Sequence, residues 1–588
     1  MKQFIHFLYC TALLLCITIA ASAQVSLRLN QPSREQNNVS SARQFIAGRT
    51  CTGCKLWIDE DSIQVYATGT FAIKRDLKPG KTIYTLRAED PNGKTYTKTI
   101  YYYFSPPPKP VPTPVFRIDY MNITPKGNLQ LSEGDTLHIK VKAYPGCKGY
   151  WLNDVPLIEV PAAKDGGIAG IYAGSYVITA ADSMLNGRIK VTLRNRDGGV
   201  AVMESPNRYS FMKNTYPFIG RTIDNMTYLT ASPEGDRLGP DKIGYLDKDV
   251  ILPISGKEGD YYKIKLSAHH TAYIPEPLVD TATLFEHPPV SIISNARVWG
   301  DEKYDYLSVE LSDRLPYTST QEVQPGKIIV DVYGAYSEPG INPVLQGVQE
   351  ISQVSWLQIE PDVFRMTVSL KHAMPWGYQL YYEGNRLVIK IKRQLPVLAL
   401  NKMVIGLDAG HGGSNVGAQG LTGASEKQLT LLLSMELKAA LEREGARVIT
   451  TRTTDKFVAN EDRLSNFRRI NPDLLLSVHL NSSVNPVDIS GTATYYKQPF
   501  CDPLSAAIHK RLVETGLRDF GNIPGFNFIL NNPTEFPGTL IETLFLSNPE
   551  DEMRILDSNF RQQMVQKIVQ GMKDFLEQAR EERLIREE

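Results

Sequence analysis

The chain has 588 residues, which is too long for a single domain and predicts roughly three to five of them. Hydrophobic residues make up 42% and charged residues 22%, as in globular proteins that bury a core. Lysine plus arginine and aspartate plus glutamate both total 64, so the overall charge gives no reason to expect nucleic acid or an anionic membrane surface as a partner.

The first 23 residues have the pattern of a secretory signal peptide. Lys2 precedes an apolar stretch over residues 4–19, and Ala21-Ser22-Ala23 offers the small residues that a signal peptidase reads, with Gln24 as the expected mature start. A membrane anchor is disfavoured because the stretch is short for a spanning helix and no stop-transfer charges follow it. We expect an exported protein without an integral membrane segment after cleavage. The periplasm is the favoured location, with the outer surface or secretion as alternatives.

Four of the six cysteines lie beyond this signal: Cys51, Cys54, Cys147 and Cys501. The pair in Cys51-Thr-Gly-Cys54 is compatible with a disulfide, with part of a metal site or with two thiols. A single CxxC is weak evidence for zinc, and an exported protein favours the local disulfide.

Residues 24–104 alternate short β-type runs with turn signals and predict a small β-sandwich module. A proline-rich linker over residues 105–114 separates it from a second sandwich at residues 115–213. Residues 52–59 and 145–153 are similar to each other, which favours two related modules. Both modules resemble bacterial immunoglobulin-like domains.

Residues 214–285, which contain the run 259–266, resemble the SH3-like barrels attached to bacterial wall enzymes. The pair His269-His270 in this segment has a metal-binding interpretation, but a solvent-facing pair is favoured. Residues 286–397 form a further β-rich domain, and a wall-targeting role is one interpretation of it.

The pattern changes at residues 398–580, where strands alternate with helices. Strands are predicted over 403–407, 446–450, 474–478 and 539–542, and helices over 425–444, 461–470, 503–515 and 559–582. This alternation predicts an α/β domain with a mostly parallel sheet flanked by helices, followed by a charged tail at residues 581–588. The predicted fold class is therefore multidomain, with all-β modules preceding an α/β catalytic domain.

Candidate metal ligands lie at one edge of this sheet. His411 stands in a glycine-rich loop directly after the first strand, and His479 directly follows the strand at 474–478. Glu426, in the first turn of the next helix, can point to the same edge, where sites form in α/β sheets. Two imidazoles and one carboxylate leave a fourth position open, as in catalytic zinc sites. The alternatives are a loop histidine without a partner and an acid that complements the helix dipole.

Glu542 ends an apolar strand, where a buried acid usually has a charged or hydrogen-bonding partner or a catalytic role. One such role is that of a general base that takes a proton from water and then protonates a leaving amine. A salt bridge to a neighbouring arginine or lysine is the structural alternative.

The motifs of residues 403–576 resemble those of the zinc-dependent N-acetylmuramoyl-L-alanine amidases of bacterial cell walls. The resemblance rests on the Gly-His-Gly-Gly turn, the Glu-Lys pair, the His-x-Asn motif and a glutamate before a Ser-Asn-Pro turn, at His411, Glu426-Lys427, His479 to Asn481, and Glu542 with Ser547 to Glu550. It implies one zinc ion held by His411, Glu426 and His479. It also implies Glu542 as catalytic acid/base and Asn481 as a substrate-binding residue.

Other positions refine this expectation. Arg452 and Arg463 fall where the family carries arginines and are interpreted as structural. Phe467-Arg468, Leu544 and Asn531 depart from the family pattern and leave the substrate detail open. The segment 482–502 is too short for the long occluding helix of some relatives, so the site is expected to be open without an activator.

The implied reaction is hydrolysis of the amide between N-acetylmuramic acid and L-alanine of peptidoglycan. The competing hypotheses are a zinc peptidase acting within the stem peptide and a non-catalytic wall-binding scaffold. Peptidoglycan is the expected partner, and cell-wall or division proteins are candidates for binding to the β-modules.

Overall fold

The structure is a computed structural model that describes residues 26–108, 111–164, 168–212, 218–236, 238–281, 289–293, 295–338 and 343–587. The predicted signal peptide, its cleavage site and residues 109–110 of the linker lie outside this set. Within it, no helix is both long enough and apolar enough to cross a membrane.

The first module is built from eight strands in two sheets. They are β1 (Arg28–Gln31), β2 (Gln36–Val39), β3 (Arg43–Arg49), β4 (Lys55–Ile58), β5 (Asp61–Ile63), β6 (Thr70–Asp76), β7 (Gly80–Glu89) and β8 (Thr95–Phe104). One sheet has the order β1-β3-β6 and the other β2-β8-β7-β4-β5. Phe71, Leu86 and Ile100 are fully buried between them. Cys51 and Cys54 form a disulfide, the favoured one of the three alternatives.

The second and third segments are also all-β. Their strands are β9 (Ile118–Thr124), β10 (Leu129–Ser132), β11 (Thr136–Ala143), β12 (Lys148–Trp151), β13 (Val155–Glu159), β14 (Ile171–Val177), β15 (Met184–Gly187), β16 (Lys190–Arg194), β17 (Val200–Glu204), β18 (Tyr209–Met212), β19 (Phe218–Thr222), β20 (Thr227–Thr230), β21 (Lys242–Leu246), β22 (Ile251–Glu258), β23 (Tyr261–Lys265), β24 (Thr271–Pro275) and β25 (Val279–Asp280). One sheet crosses the boundary expected near residue 213, because β10 pairs with β22. The immunoglobulin-like and SH3-like assignments stay predictions.

The fourth segment holds eleven strands in its described residues. They are β26 (Ser291–Ile293), β27 (Ala296–Gly300), β28 (Tyr304–Glu310), β29 (Tyr317–Glu322), β30 (Lys327–Tyr333), β31 (Ala335–Ser337), β32 (Leu345–Gln346), β33 (Ile351–Glu360), β34 (Val363–Leu370), β35 (Tyr378–Glu383) and β36 (Arg386–Lys392). Its main sheets have the orders β32-β27-β28-β36-β35 and β29-β30-β34-β33. Its apolar residues form one continuous core with those of the third segment, from Leu229 to Ile391.

The last domain is the α/β unit that the sequence predicts. Its elements are β37 (Val404–Ala409), α1 (Glu426–Arg443), β38 (Arg447–Thr450), α2 (Asn460–Ile470), β39 (Leu474–Asn481), β40 (Thr492–Tyr495), α3 (Asp502–Val513), β41 (Asp519–Ile523), β42 (Gly538–Phe545), α4 (Pro549–Leu556) and α5 (Ser558–Glu587). The sheet order is β38-β37-β39-β42-β40-β41. All neighbouring pairs are parallel except β40 with β42, which confirms a mostly parallel sheet.

The predicted helices are found with ends shifted by a few residues, while β40, β41 and α4 were not predicted. Leucines four residues apart explain α1, since Leu429, Leu433, Leu437 and Leu441 form one buried stripe. Helix α5 continues to Glu587 and includes most of the segment expected as a charged tail. Arg583 fixes this last part, because its guanidinium donates to the carbonyls of residues 395 and 396.

The fourth segment also shares a core with the α/β domain. Trp376 is fully buried in the hydrophobic cluster of that domain. Its ring stacks on Phe575 of α5 with 5.6 Å between the ring centroids. The two units are therefore held together by apolar packing and not by a linker alone.

We expect Trp376→Ala to destabilise the α/β domain by about 3–5 kcal/mol, because it leaves a cavity in a packed core. Calorimetry should show a lower unfolding temperature for that domain. The Trp376 Nε1 atom has no hydrogen-bond partner among the described residues, so Trp376→Phe removes no such bond and is the milder control. Equal losses in the two variants would contradict a packing role for the indole.

Candidate metal centre

The loop after β37 combines a left-handed backbone conformation with close packing that only glycine allows. His411 has φ 60°, the left-handed region that residues with side chains seldom adopt. Gly410 is required by packing, because a Cβ there would lie 2.4 Å from the His479 ring. The glycines of this loop thus let two imidazoles approach each other, and their ring centroids are 5.0 Å apart.

His411, Glu426 and His479 converge at the edge of the sheet, as the sequence predicts. Glu426 Oε1 lies 3.0 Å from His411 Nε2 and 3.1 Å from His479 Nδ1. The three residues offer ligand atoms that all lie within 4.8 Å of one another, a group that could hold a metal ion. Ligand atoms at tetrahedral positions around zinc, with bonds of about 2.0–2.1 Å, are roughly 3.3 Å apart, which the two distances from Glu426 to the histidines approach.

The neighbouring contacts fix the orientation of the ligands. His411 Nδ1 lies 2.9 Å from Asn415 Oδ1, which leaves Nε2 directed at Glu426. The other carboxylate oxygen of Glu426 accepts from the Ala418 amide at 2.7 Å. Such contacts select the orientation of a ligand and raise metal affinity.

Beneath the loop lies a buried ion pair between Asp408 and Arg463. The Arg463 guanidinium donates to Asp408 Oδ1 at 2.5 Å and to the carbonyls of Ala409 and His411 at 2.8 and 2.6 Å. Arg452 donates to the carbonyls of Ala409 and Gly410 at 2.9 and 2.8 Å. The two arginines therefore hold the backbone that carries His411, consistent with the structural role predicted for them.

Glu542 lies beside the three candidate ligands. It stands on β42 in register with His479 on β39. Its Oε2 atom is buried and has no hydrogen-bond partner among the described residues. No ion pair of Glu542 with an arginine or lysine occurs within the described ranges, which disfavours the salt-bridge alternative for this side chain.

The charges of the site act on one another. Burial opposes ionisation of Glu426, yet hydrogen bonds from both histidines hold its pKa well below the ordinary value. Burial raises the pKa of Glu542, and the negative charge of Glu426 raises it further. Burial also opposes ionisation of Asp408, but Arg463 keeps its pKa below the usual range.

The structure adds residues that the sequence analysis did not single out. The Phe528 ring lies 5.5 Å from the His479 ring between centroids. The Asn481 amide donates to Tyr495 Oη at 3.4 Å, and burial and the nearby charge of Glu542 raise the pKa of Tyr495 to about 12. No local motif marks Phe528 or Tyr495, because both approach the site from segments distant in sequence. Asn415, by contrast, follows His411 by four residues in the same loop.

The loop that carries Phe528 is held by the third segment of the chain. The Asn527 amide donates to the Leu238 carbonyl at 3.0 Å, and its side chain donates to the Gly239 carbonyl. Asn532 donates to the carbonyls of Asn527 and Phe528 at 3.2 and 2.9 Å. The β-module preceding the fourth segment thus positions one wall of the metal centre.

The connection between β39 and β40 contains no helix over residues 482–491. It therefore lacks the long helix that covers the zinc site in some relatives. The loop contacts the first module, where Lys74 Nζ lies 3.1 Å from Asp488 Oδ2.

Two histidines, an acid and a further carboxyl at the carboxyl edge of a parallel sheet are the residue types and the location that catalytic metal sites use. Residues 405–574 match the family model of N-acetylmuramoyl-L-alanine amidase, and residues 295–391 match that of the AMIN domain. This match to the N-acetylmuramoyl-L-alanine amidase model covers most of the α/β domain.

Curated relatives agree with this assignment. The chain is similar to a probable cell wall amidase LytH of Staphylococcus epidermidis, 35% identical over 184 residues, which is 30% of this chain and 59% of that protein. It is also similar to the probable cell wall amidase LytH of Staphylococcus aureus, 36% identical over 180 residues, or 30% and 58% of the two chains. The matched segment thus spans less than two thirds of these relatives.

Among solved structures, the catalytic domain of CwlV, an N-acetylmuramoyl-L-alanine amidase from Bacillus (Paenibacillus) polymyxa var. colistinus, is 30% identical. The match covers 30% of this chain and 98% of that one, with a TM-score of 0.29. The N-acetylmuramoyl-L-alanine amidase AmiC2 of Nostoc punctiforme is 28% identical with the same coverages and a TM-score of 0.29.

We expect Arg463→Lys to weaken divalent-metal binding by about 10–100-fold, because an ammonium group cannot reproduce the fork that holds two carbonyls and a carboxylate. Competition with a chromophoric chelator would measure this affinity. Arg469→Lys on the same helix is the matched control, since Arg469 is exposed and contacts Asn466. Equal affinities in the Arg463 variant and the unmodified protein would refute the positioning role.

Proposed function

We propose that this protein is a cell-wall hydrolase that cleaves the amide between N-acetylmuramic acid and L-alanine of peptidoglycan. The observation that carries the proposal is the convergence of His411, Glu426 and His479 with Glu542 beside them. The family assignment of residues 405–574 supports the same bond as the target.

The residues present fit one zinc ion. Two imidazole nitrogens and a carboxylate oxygen are ligands that zinc prefers in catalytic sites, and they leave a fourth position for water or substrate. When bound, zinc supplies Lewis-acid polarisation of a carbonyl and lowers the pKa of a coordinated water. His411, Glu426 and His479 would hold the ion.

Glu542 is the proposed general acid/base of the reaction. Its Oε2, which has no hydrogen-bond partner in the described ranges, can accept the proton of the attacking water and then donate it to the leaving amine of L-alanine. The proposed role of Asn481, which contacts Tyr495, is to hydrogen-bond an amide or hydroxyl of the substrate. Phe528 shields one side of His479 from water.

The location follows from the substrate. We propose that the chain is exported, with the periplasm as its compartment, and that its β-modules contact the wall. The AMIN match at residues 295–391 supports wall contact by the fourth segment. Cell-wall or division proteins remain proposed partners of the other modules.

The decisive experiment is digestion of purified peptidoglycan by the mature protein, with and without a chelator, followed by mass analysis of the products. Release of intact stem peptides with a free L-alanine amine, abolished by the chelator and restored by zinc, is the expected result. Cleavage within the stem would replace the amidase with a peptidase. Absence of cleavage in the protein alone, with activity restored by a partner, would contradict the open site.

We expect Glu542→Gln to reduce turnover by roughly two to four orders of magnitude, because proton transfer is lost while shape is kept. Zinc content measured by elemental analysis should stay at one ion per chain, since Glu542 is not a proposed ligand. Glu550→Gln is the control, because Glu550 is an exposed glutamate that pairs with Arg554. Full turnover of the Glu542 variant would remove this residue from the mechanism.

A further inference from the structure

Three parts of the chain meet around a cavity of about 680 Å³. The third segment contributes Tyr245 and Lys248, the fourth contributes Arg314 and Lys390, and the α/β domain contributes Lys497. None of the proposed metal ligands lines it, and neither does Glu542. Its volume falls within the range of pockets that hold small ligands.

Of the five cations that line this cavity within the described residues, only Arg468 forms an ion pair, with Glu535. Lys248, Arg314, Lys390 and Lys497 all line it, and none forms an ion pair with a carboxylate in the part of the chain that the structure describes. Arg314 donates instead to the carbonyls of Gly384 and Lys248. Lys390 Nζ lies 4.0 Å from the centre of the Tyr304 ring.

The acids of the cavity wall are already engaged. Glu535 lies 2.7 Å from Arg468, and Asp249 lies 3.8 Å from Arg221. Asp247 accepts from the Tyr317 hydroxyl at 3.1 Å, and its burial raises its pKa, which disfavours the negative form. The cavity therefore presents an excess of positive charge.

Lys497 is a cavity cation whose charged form is disfavoured. Its ammonium group has neutral acceptors, the Lys242 carbonyl at 2.9 Å and Asn532 Oδ1 at 2.7 Å. Burial and the nearby charge of Lys242 lower the pKa of Lys497 to about 7. A carboxylate in the cavity would relieve the unfavourable burial of this cation.

We propose that the cavity binds a short acidic peptide through its carboxylates, with Tyr245 and Tyr381 contacting its apolar parts. The inference rests on the proposed function, which supplies the occupant, since the stem peptide that an amidase releases carries free carboxylates. The site lies outside the metal centre and is assembled by residues that the α/β domain alone does not contain.

The site is connected to the metal centre through one side chain. Asn532 accepts from Lys497 and donates to the carbonyls of Asn527 and Phe528, whose ring faces His479. A carboxylate bound at Lys497 thus contacts the network that positions the Phe528 loop.

Calorimetric titration of the full-length mature protein with a synthetic stem tetrapeptide tests the proposal. The free peptide has no muramyl amide, so it is not consumed. The double variant Lys248→Ala/Lys390→Ala should bind at least about tenfold more weakly, a change of about 1.4 kcal/mol. Lys303→Ala, at an exposed lysine of the same fourth segment, should bind like the unmodified protein. Unchanged thermal unfolding of each variant confirms that the fold is retained.

A peptide with all carboxylates amidated should bind more weakly than the acidic peptide, and salt should weaken the acidic peptide more. Lack of binding to the unmodified protein, or equal binding by the double variant, would overturn the proposal. Peptidoglycan digestion by the unmodified protein distinguishes this failure from failure of the proposed function. Chelator-sensitive release of stem peptides without tetrapeptide binding would remove the cavity site and keep the amidase.

Discussion

The buried pair of Asp408 and Arg463 is the interaction on which the metal centre depends. Asp408 has no exposed surface, and a charge in such a place is tolerated only when it is paired and hydrogen-bonded. It accepts hydrogen bonds from Thr451 directly after β38, from Ser477 on β39 and from Arg463 on α2. Since Arg463 also binds the Ala409 and His411 carbonyls, α2 and the His411 loop cannot move independently.

This arrangement explains how His411 keeps its left-handed backbone conformation in the loop. The backbone at His411 is strained, and strain persists where surrounding contacts determine the conformation. Two buried arginines donate to the carbonyls of residues 409–411, so several hydrogen bonds offset the strain of the loop conformation. The imidazole then meets Glu426 without further rearrangement, as preorganised sites require.

The sequence predicts the α/β domain well because its signals are local. His411 in the loop after one strand, His479 near the end of the next strand, and Glu426 at the start of a helix are placed at one edge by topology alone. Phe528 could not be predicted, because its approach depends on how the loop between β41 and β42 folds back over the sheet, and Tyr495 ends β40, a strand that the sequence did not predict. Strands β40 and β41 are short and lie at the side of the sheet, where the apolar pattern is weak.

The β-modules show a different limit of prediction. Turn residues and the alternation of apolar and polar side chains locate the strands, but they do not indicate which strands pair at their edges. The pairing of β10 with β22 could therefore not be predicted. Burial of Trp376 against Phe575 is likewise a property of two surfaces and has no sequence signature.

These shared cores bear on how substrate is presented to the metal centre. A wall-binding module on a flexible linker raises local concentration but leaves orientation free. Here the fourth segment is packed into the α/β domain through Trp376, and the third segment holds the Phe528 loop through Leu238. Burial of apolar surface across these contacts disfavours independent motion of the units. Under the proposed function, a peptidoglycan strand held by the β-modules would therefore meet the metal centre in a restricted set of orientations, and the packing between modules would help to determine which bonds reach it.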